Sequence, residues 1–250
     1  MPSFSSFSSL MVVTVMTVVV AICAGCAPGA RLAPQSTSTS ALTEASVPRA
    51  TASGQQVWHI NRQQSLIAIT VHRGGALARL GHDHVVASRD IEGQAVQQNG
   101  GSGHPEAGQA DLHFRLDQLT VDEPALRKEA GFDTQPGPDA ITGTRNNMLT
   151  RVLEAERFPL VAIHASWPAG KAENDGMTGI RLAITLHGVT RTIDTEARIA
   201  RDGETISVAG SLRLNQSDFG IVPFSVMGGA LAVKDGLDLR FDIVLNQGRE

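Results

Sequence analysis

The most regular feature of the chain is a two-residue alternation of apolar and polar positions. Ile67, Ile69 and Val71 alternate with Ala68, Thr70 and His72, and Leu112, Phe114 and Leu116 with Asp111, His113, Arg115 and Asp117. Val161, Ile163 and Ala165 stand opposite His164 and Ser166, while Ile180, Leu182, Ile184 and Leu186 face away from Arg181, Thr185 and His187. Further along, Leu237, Leu239, Phe241, Ile243 and Leu245 face away from Asp238, Arg240 and Asp242. A period of two sends one set of side chains inward and the other into water, which is the mark of antiparallel sheet. Gly- and Asp-rich breaks at 99–103, 173–176 and 202–203 separate the runs.

One stretch has helical spacing. Between Thr142 and Arg157, Met148, Leu149, Val152 and Leu153 form a single stripe, and Phe158-Pro159 stops it. Asp122-Glu-Pro-Ala predicts a short helical turn with proline near its first position. Alternating strands with one inserted amphipathic helix predict a mainly all-β barrel or sandwich. A closed antiparallel barrel of about eight strands is favoured, because closure leaves no edge to protect.

The pattern changes before Val57. Residues 1–25 carry no charged side chain, and Leu10 to Gly25 is an apolar run of sixteen residues. A bilayer span needs roughly 20, so the run fits a secretory signal better than a membrane helix. It ends in Ala24-Gly25-Cys26, which resembles the lipobox of bacterial lipoproteins, with Cys26 lipidated as the mature N-terminus. Cys23 stands where leucine is usual, and no basic residue precedes the apolar run. An ordinary secretory signal and an uncleaved anchor are the alternatives. Ala27, rather than Asp, after Cys26 points to the outer membrane by analogy with enteric lipoproteins. Residues 27–56, mostly Ala, Ser, Thr, Pro and Gly, read as a flexible tether, and a coil of that length spans about 30 Å. The expected organisation is therefore a leader (1–25), Cys26 with a tether (26–56), and a barrel domain (57–250), on the periplasmic face of a bacterial membrane.

Composition narrows the function. The 250 residues carry 21 Lys+Arg against 25 Asp+Glu, a net charge of −4, with only three lysines and the arginines scattered. A polyanion binder shows a basic face, so nucleic acid is not an expected partner. Charged residues make up 18% of the chain, but 43 of the 46 fall in residues 57–250, which is 43/194 or about 22%. That is near the globular norm. Cys23 and Cys26 are the two cysteines, and their C-x-x-C lies inside the leader rather than at a helix start, so it is not read as a redox motif.

The order of short motifs adds a resemblance. Trp58-His-Ile-Asn opens the domain, followed by Ser65-Leu-Ile-Ala-Ile-Thr-Val-His72. Then come Val152-Leu-Glu-Ala-Glu-Arg-Phe-Pro159, the run Leu160 to Ala165, Leu186-His-Gly-Val-Thr-Arg191 and Gln216-Ser-Asp-Phe-Gly-Ile221. Together, over about residues 57–247, these resemble the YceI-like family of exported bacterial proteins named for lipid and polyisoprenoid binding. The resemblance implies a lipocalin-like, extended antiparallel barrel whose pore holds a long isoprenoid, a quinone or a similar amphiphile. Such a chain needs an elongated apolar slot and few polar groups. Residues expected to line it are Ile67, Ile69, Val71, Phe114, Val161, Ile163, Leu182, Ile184, Phe219, Ile221, Phe241 and Ile243. Each could equally be plain core packing.

The histidines depart from the family pattern. Gly81-His82-Asp83-His84 replaces a less polar segment, and H-x-H on a strand puts both imidazoles on one face. His72 would join them if the chain reverses between Val71 and Val85, giving three nitrogens suited to zinc or copper. The alternatives are a solvated loop at the barrel mouth, or contacts from His82 and His84 to a ligand head group. No nucleophile-elbow, zinc-protease or phosphate-loop pattern occurs, so the domain is read as non-catalytic. The expected partners are thus an isoprenoid-like lipid, a membrane through the lipid anchor, and a second copy of the chain in a homodimer. A periplasmic metal-binding or redox-accessory role is the rival reading.

Overall fold

The alternating segments form β-strands joined into one continuous sheet in the computed structural model, which describes residues 55–98, 107–169 and 176–248. The expected leader, Cys26 and the tether up to residue 54 lie outside the described residues. The strands are β1 (Gln55–Ile60), β2 (Leu66–Gly74), β3 (His84–Ser88), β4 (Ile91–Gln98), β5 (Gly108–Arg115) and β6 (Thr120–Val121). Two helices follow, α1 (Pro124–Glu129) and α2 (Pro138–Asn147). Then come β7 (Leu160–Trp167), β8 (Met177–Leu186), β9 (Val189–Asp202), β10 (Thr205–Asn215), β11 (Ser225–Val226) and β12 (Leu231–Gln247). β1 takes in Gln55 and Gln56, which the composition had left in the tether, by pairing them with Gln98 and Gln97 of β4.

Eight of these strands close a ring in the order β1-β4-β5-β7-β8-β9-β10-β12, and Trp58, His59 and Ile60 pair with Gln247, Asn246 and Leu245 to seal it. All the pairings are antiparallel, so the barrel leaves no edge within the ring. β12, seventeen residues long, reaches beyond the ring. Its last residues hold β1, while Ala232–Asp242 hold β2, which in turn carries β3 and then β6. The wall is therefore extended at one end. The outermost strand there is only two residues long, and Arg145 caps the adjoining backbone by donating to Leu119 O at 3.1 Å and to Asp117 O. Short, covered edges resist further pairing.

The inward faces meet across the strands as the alternation requires. Leu112, Ile163 and Ile184 are successive partners across β5, β7 and β8, and Ile69, Leu239 and Leu212 across β2, β12 and β10. Outward faces carry ion pairs such as Arg181–Asp194 at 2.7 Å and Arg240–Glu129 at 2.7 Å.

The helix differs from its expected bounds. α2 begins at Pro138, where the missing N–H costs nothing, rather than at Thr142. It leaves α geometry at Met148 and continues as a wide π-type turn over Met148–Val152, with Leu153 N–H donating to Met148 O. Thr150 Oγ1 bonds back to Asn146 O at 2.8 Å, and Glu154 takes a positive φ of 45° that ends the helical run. The expected stripe survives: Met148, Leu149, Val152 and Leu153 pack on the barrel core. The short turn expected at Asp122-Glu-Pro-Ala is α1.

Candidate functional site

Two cavities lie inside the barrel. The larger, about 270 Å³, sits at the extended end beneath α2 and its π-type turn. The smaller, about 100 Å³, lies deeper, around Trp58, Ala110 and Ile206. Ile67, Ile163, Ile184 and Leu239 line both, so the cavities are neighbours parted by these four side chains. The walls are mostly apolar, because most strands turn their apolar alternates inward.

Of the expected lining residues, Ile67, Ile69, Val71, Phe114, Val161, Ile163 and Ile184 face the larger cavity. Leu182, Phe241 and Ile243 face the smaller one. Phe219 and Ile221 face neither and are corrected to core positions, 1% and 3% exposed. The reason is local: Gln216–Phe219 leaves the strand as a 3-10 turn, with Gly220 left-handed at φ 71°. Gln216 Nε2 donating to Lys234 O at 2.9 Å, and Ser217 N–H donating to Asp235 Oδ1 at 2.8 Å, fix that turn to β12. The larger cavity also takes residues not expected from the strand pattern: Leu116 and Leu119 from the turn after β5, Met148, Val152 and Leu153 from the π-type turn, and Phe224. The helical stripe was the signal for the second group.

Arg73, His82 and His84 line the mouth of the larger cavity, Thr144 and Asn147 reach it from α2 and Gln216 from the turn after β10, and no carboxylate lines it among the described residues. Val71 and His84 are register partners, which brings the H-x-H segment beside β2 as expected. His72 does not join it. The alternation that turns Val71 inward turns His72 outward, where Nε2 meets Asp238 Oδ2 at 2.9 Å and the ring sits edge-on to Phe132 at 6.5 Å. The three-histidine convergence is therefore corrected. Among the described residues no three His, Cys, Asp or Glu side chains come together to hold a metal ion. Asp83 faces away from the mouth and accepts Arg73 N–H at 2.8 Å.

Behind His84 lies a buried polar chain that the sequence pattern did not reveal. His84 Nδ1 is 2.6 Å from Asp122 Oδ2, and Asp122 Oδ1 accepts Val85 N–H at 3.0 Å and Arg127 Nη1 at 2.6 Å. The Asp122 side chain is wholly buried and that of Arg127 is 2% exposed. Burial pushes the Asp122 carboxyl up, but the bonds from His84, Val85 and Arg127 outweigh it and hold the carboxyl below its usual value. Arg127 Nη1 also donates to Asp83 O at 2.7 Å and Nε to Thr134 O at 2.8 Å, and its guanidinium lies 5.2 Å from the Phe132 ring centre. The only sequence cue was an acid directly before a helix start.

His164, on the outer wall, pairs through Nδ1 with Asp111 Oδ1 at 2.7 Å and is half exposed. It lines an outer groove together with Glu92, Asp111, His113 and Thr185 rather than either interior cavity.

The fold matches known proteins. The profile of the YceI-like domain matches residues 58–245, well over half of the chain. The chain belongs to the YceI-like family. Solved structures share its fold at low identity. BcnA of Burkholderia cenocepacia is 13% identical with a TM-score of 0.53, over 74% of this chain and 98% of that one. A polyisoprenoid binding domain from Saccharophagus degradans, implicated in plant cell wall breakdown, is 13% identical with a TM-score of 0.51, over 77% and 99%. No curated protein matches this YceI-like chain in sequence.

Proposed function

We propose that this YceI-like domain binds, without catalysis, one long apolar amphiphile of the isoprenoid or quinone class. The observation that carries the reading is the pair of adjoining, mostly apolar cavities, with Arg73, His82 and His84 at the mouth of the larger one. An apolar chain laid through both gains roughly 0.8 kcal/mol per buried CH₂, so ten buried carbons contribute about 8 kcal/mol before the cost of ordering. The barrel shared with a polyisoprenoid binding domain supports the same ligand class. The leader ending in Ala24-Gly25-Cys26 suits a lipid-anchored protein on the periplasmic face of the outer membrane, carrying or buffering its ligand there.

The test is to purify the protein, extract it with organic solvent, and run mass spectrometry on the extract alongside metal analysis. Close to one isoprenoid per chain supports the proposal. A stoichiometric metal without lipid would replace it with the metal-binding rival.

A further inference from the structure

The buried chain behind His84 fixes which ring nitrogen carries the proton. Asp122 is held ionised, so the 2.6 Å contact is a donation from His84 Nδ1–H to Asp122 Oδ2. In the neutral ring Nε2 is then a bare acceptor. It has no hydrogen-bond partner among the described residues, on a side chain that lines the mouth of the larger cavity and is 15% exposed. Arg73 and His82 are the other charged or titratable side chains lining the mouth, and Arg127 lies behind it. Arg127 serves Asp122 from behind, and Arg73 donates to Gly81 O at 2.6 Å with its Nε 3.6 Å from Asp83 Oδ2. His82 stands edge-on to His84 with ring centres 6.4 Å apart.

Resting on the lipid-binding reading of the barrel, we propose that His84 Nε2 accepts a hydrogen bond from a hydroxyl at the ligand head. The ligand class is then an isoprenoid alcohol or quinol rather than a quinone, ether or phosphate. A carbonyl or ether oxygen would bring lone pairs against the Nε2 lone pair. A phosphate dianion would likewise bring only lone pairs to Nε2, and Arg73, the cation at the mouth, already donates to Gly81 O. Asp122 and Arg127 are positioning residues, since they act through the tautomer of His84.

The positioning role makes an unusual prediction for Asp122→Asn. Arg127 Nη1 and Val85 N–H both donate to Oδ1, so the amide oxygen must stay there and the amide NH₂ must face His84. Nδ1 becomes the acceptor and the proton moves to Nε2. The head site changes from acceptor to donor with no change of shape.

The experiment measures dissociation constants of the purified protein for farnesol, its methyl ether and its monophosphate at about pH 8, where imidazole is ordinarily neutral. The parent protein is expected to prefer the alcohol to the ether about tenfold, the worth of one hydrogen bond. In D122N that ratio falls to about one because the ether binds more tightly, a gain that simple damage to the fold does not produce. His84→Phe brings the ratio to about one by weakening the alcohol alone, and carries the test if D122N does not fold. Equal binding of alcohol and ether by the parent protein, tightest binding of the monophosphate, or a ratio unmoved by both substitutions overturns the proposal and leaves the lipid-binding reading standing. Binding of none of the three overturns both.

Discussion

Removing the Asp122 carboxylate tests whether the mouth of the barrel is built around a buried ion pair. In Asp122→Ala, Arg127, 2% exposed in the parent, keeps its bonds to Asp83 O and Thr134 O but loses the carboxylate at 2.6 Å, its one ion-pair partner among the described residues. Val85 N–H and His84 Nδ1 lose their acceptors as well. Stripping one partner from a buried pair costs about 3–5 kcal/mol, because the remaining charge stays buried. Arg127→Met in the same background removes that orphan, so the double variant is expected to be more stable than the sum of the single effects predicts. The acid dependence has a definite sign. The folded carboxyl lies below its ordinary value, so its contribution is complete above the unfolded-state value of about 3.9 and is lost as pH falls through the folded value. Parent and D122A should therefore converge in stability in strong acid and stay apart at neutral pH. Urea unfolding at neutral pH and in acid measures all three effects. A D122A loss below about 1 kcal/mol, or strictly additive single and double variants, would refute the reasoning.

Other expectations follow from single positions. Ser88 Oγ and Thr178 Oγ1 are buried without a partner among the described residues, so Ser88→Ala and Thr178→Val should stabilise the domain by about 1 kcal/mol in denaturant titrations. Ser65→Ala should do the reverse by a similar amount, since Ser65 Oγ accepts Val244 N–H at 3.0 Å. Ile184, 3% exposed and shared by both cavities, separates them, so Ile184→Ala should cost about 2–4 kcal/mol yet shift binding toward longer prenyl chains. An unchanged length preference across a prenol series would contradict that role. The β8–β9 hairpin turns on His187 and Gly188 at φ 53° and 74°, and a Cβ on Gly188 would stand 2.8 Å from Phe158 Cε1. Gly188→Ala should lower stability by more than about 1 kcal/mol in thermal unfolding, whereas His187→Gly should be tolerated.

The barrel was legible where burial is one-sided. β2, β5, β7 and β8 show unbroken alternation, β12 shows it from Leu237 to Leu245 beyond an irregularity in pairing after Val233, and each lines the interior with the apolar set read from the sequence. β9 was harder to read because its inward face mixes Ile193 and Ala197 with Arg191 and Thr195, which blunts the period. The helix boundaries shifted because a π-type turn keeps a helical stripe on one face while ending α geometry. Phe219 and Ile221 belong to a motif in sequence but to a turn in space, and turns do not preserve facing. The histidine pair at the mouth was visible as H-x-H. Its partners were not, because Asp122 lies 38 residues away from His84 and is brought alongside by the β3–β6 pairing, while Arg127 looks like any basic residue closing a short helix. Sequence periodicity reports which face is buried, and it carries no information on which buried polar groups meet.

The central claim is that the barrel interior is a lipid site rather than a packed core. A crystal structure of the protein with a long-chain isoprenoid alcohol tests it most directly. The account predicts one chain running past Ile67, Ile163, Ile184 and Leu239 into the deeper cavity, its hydroxyl within hydrogen-bond distance of His84 Nε2. A barrel whose two cavities stay closed to the lipid, with the ligand on the outer wall or absent, would contradict it.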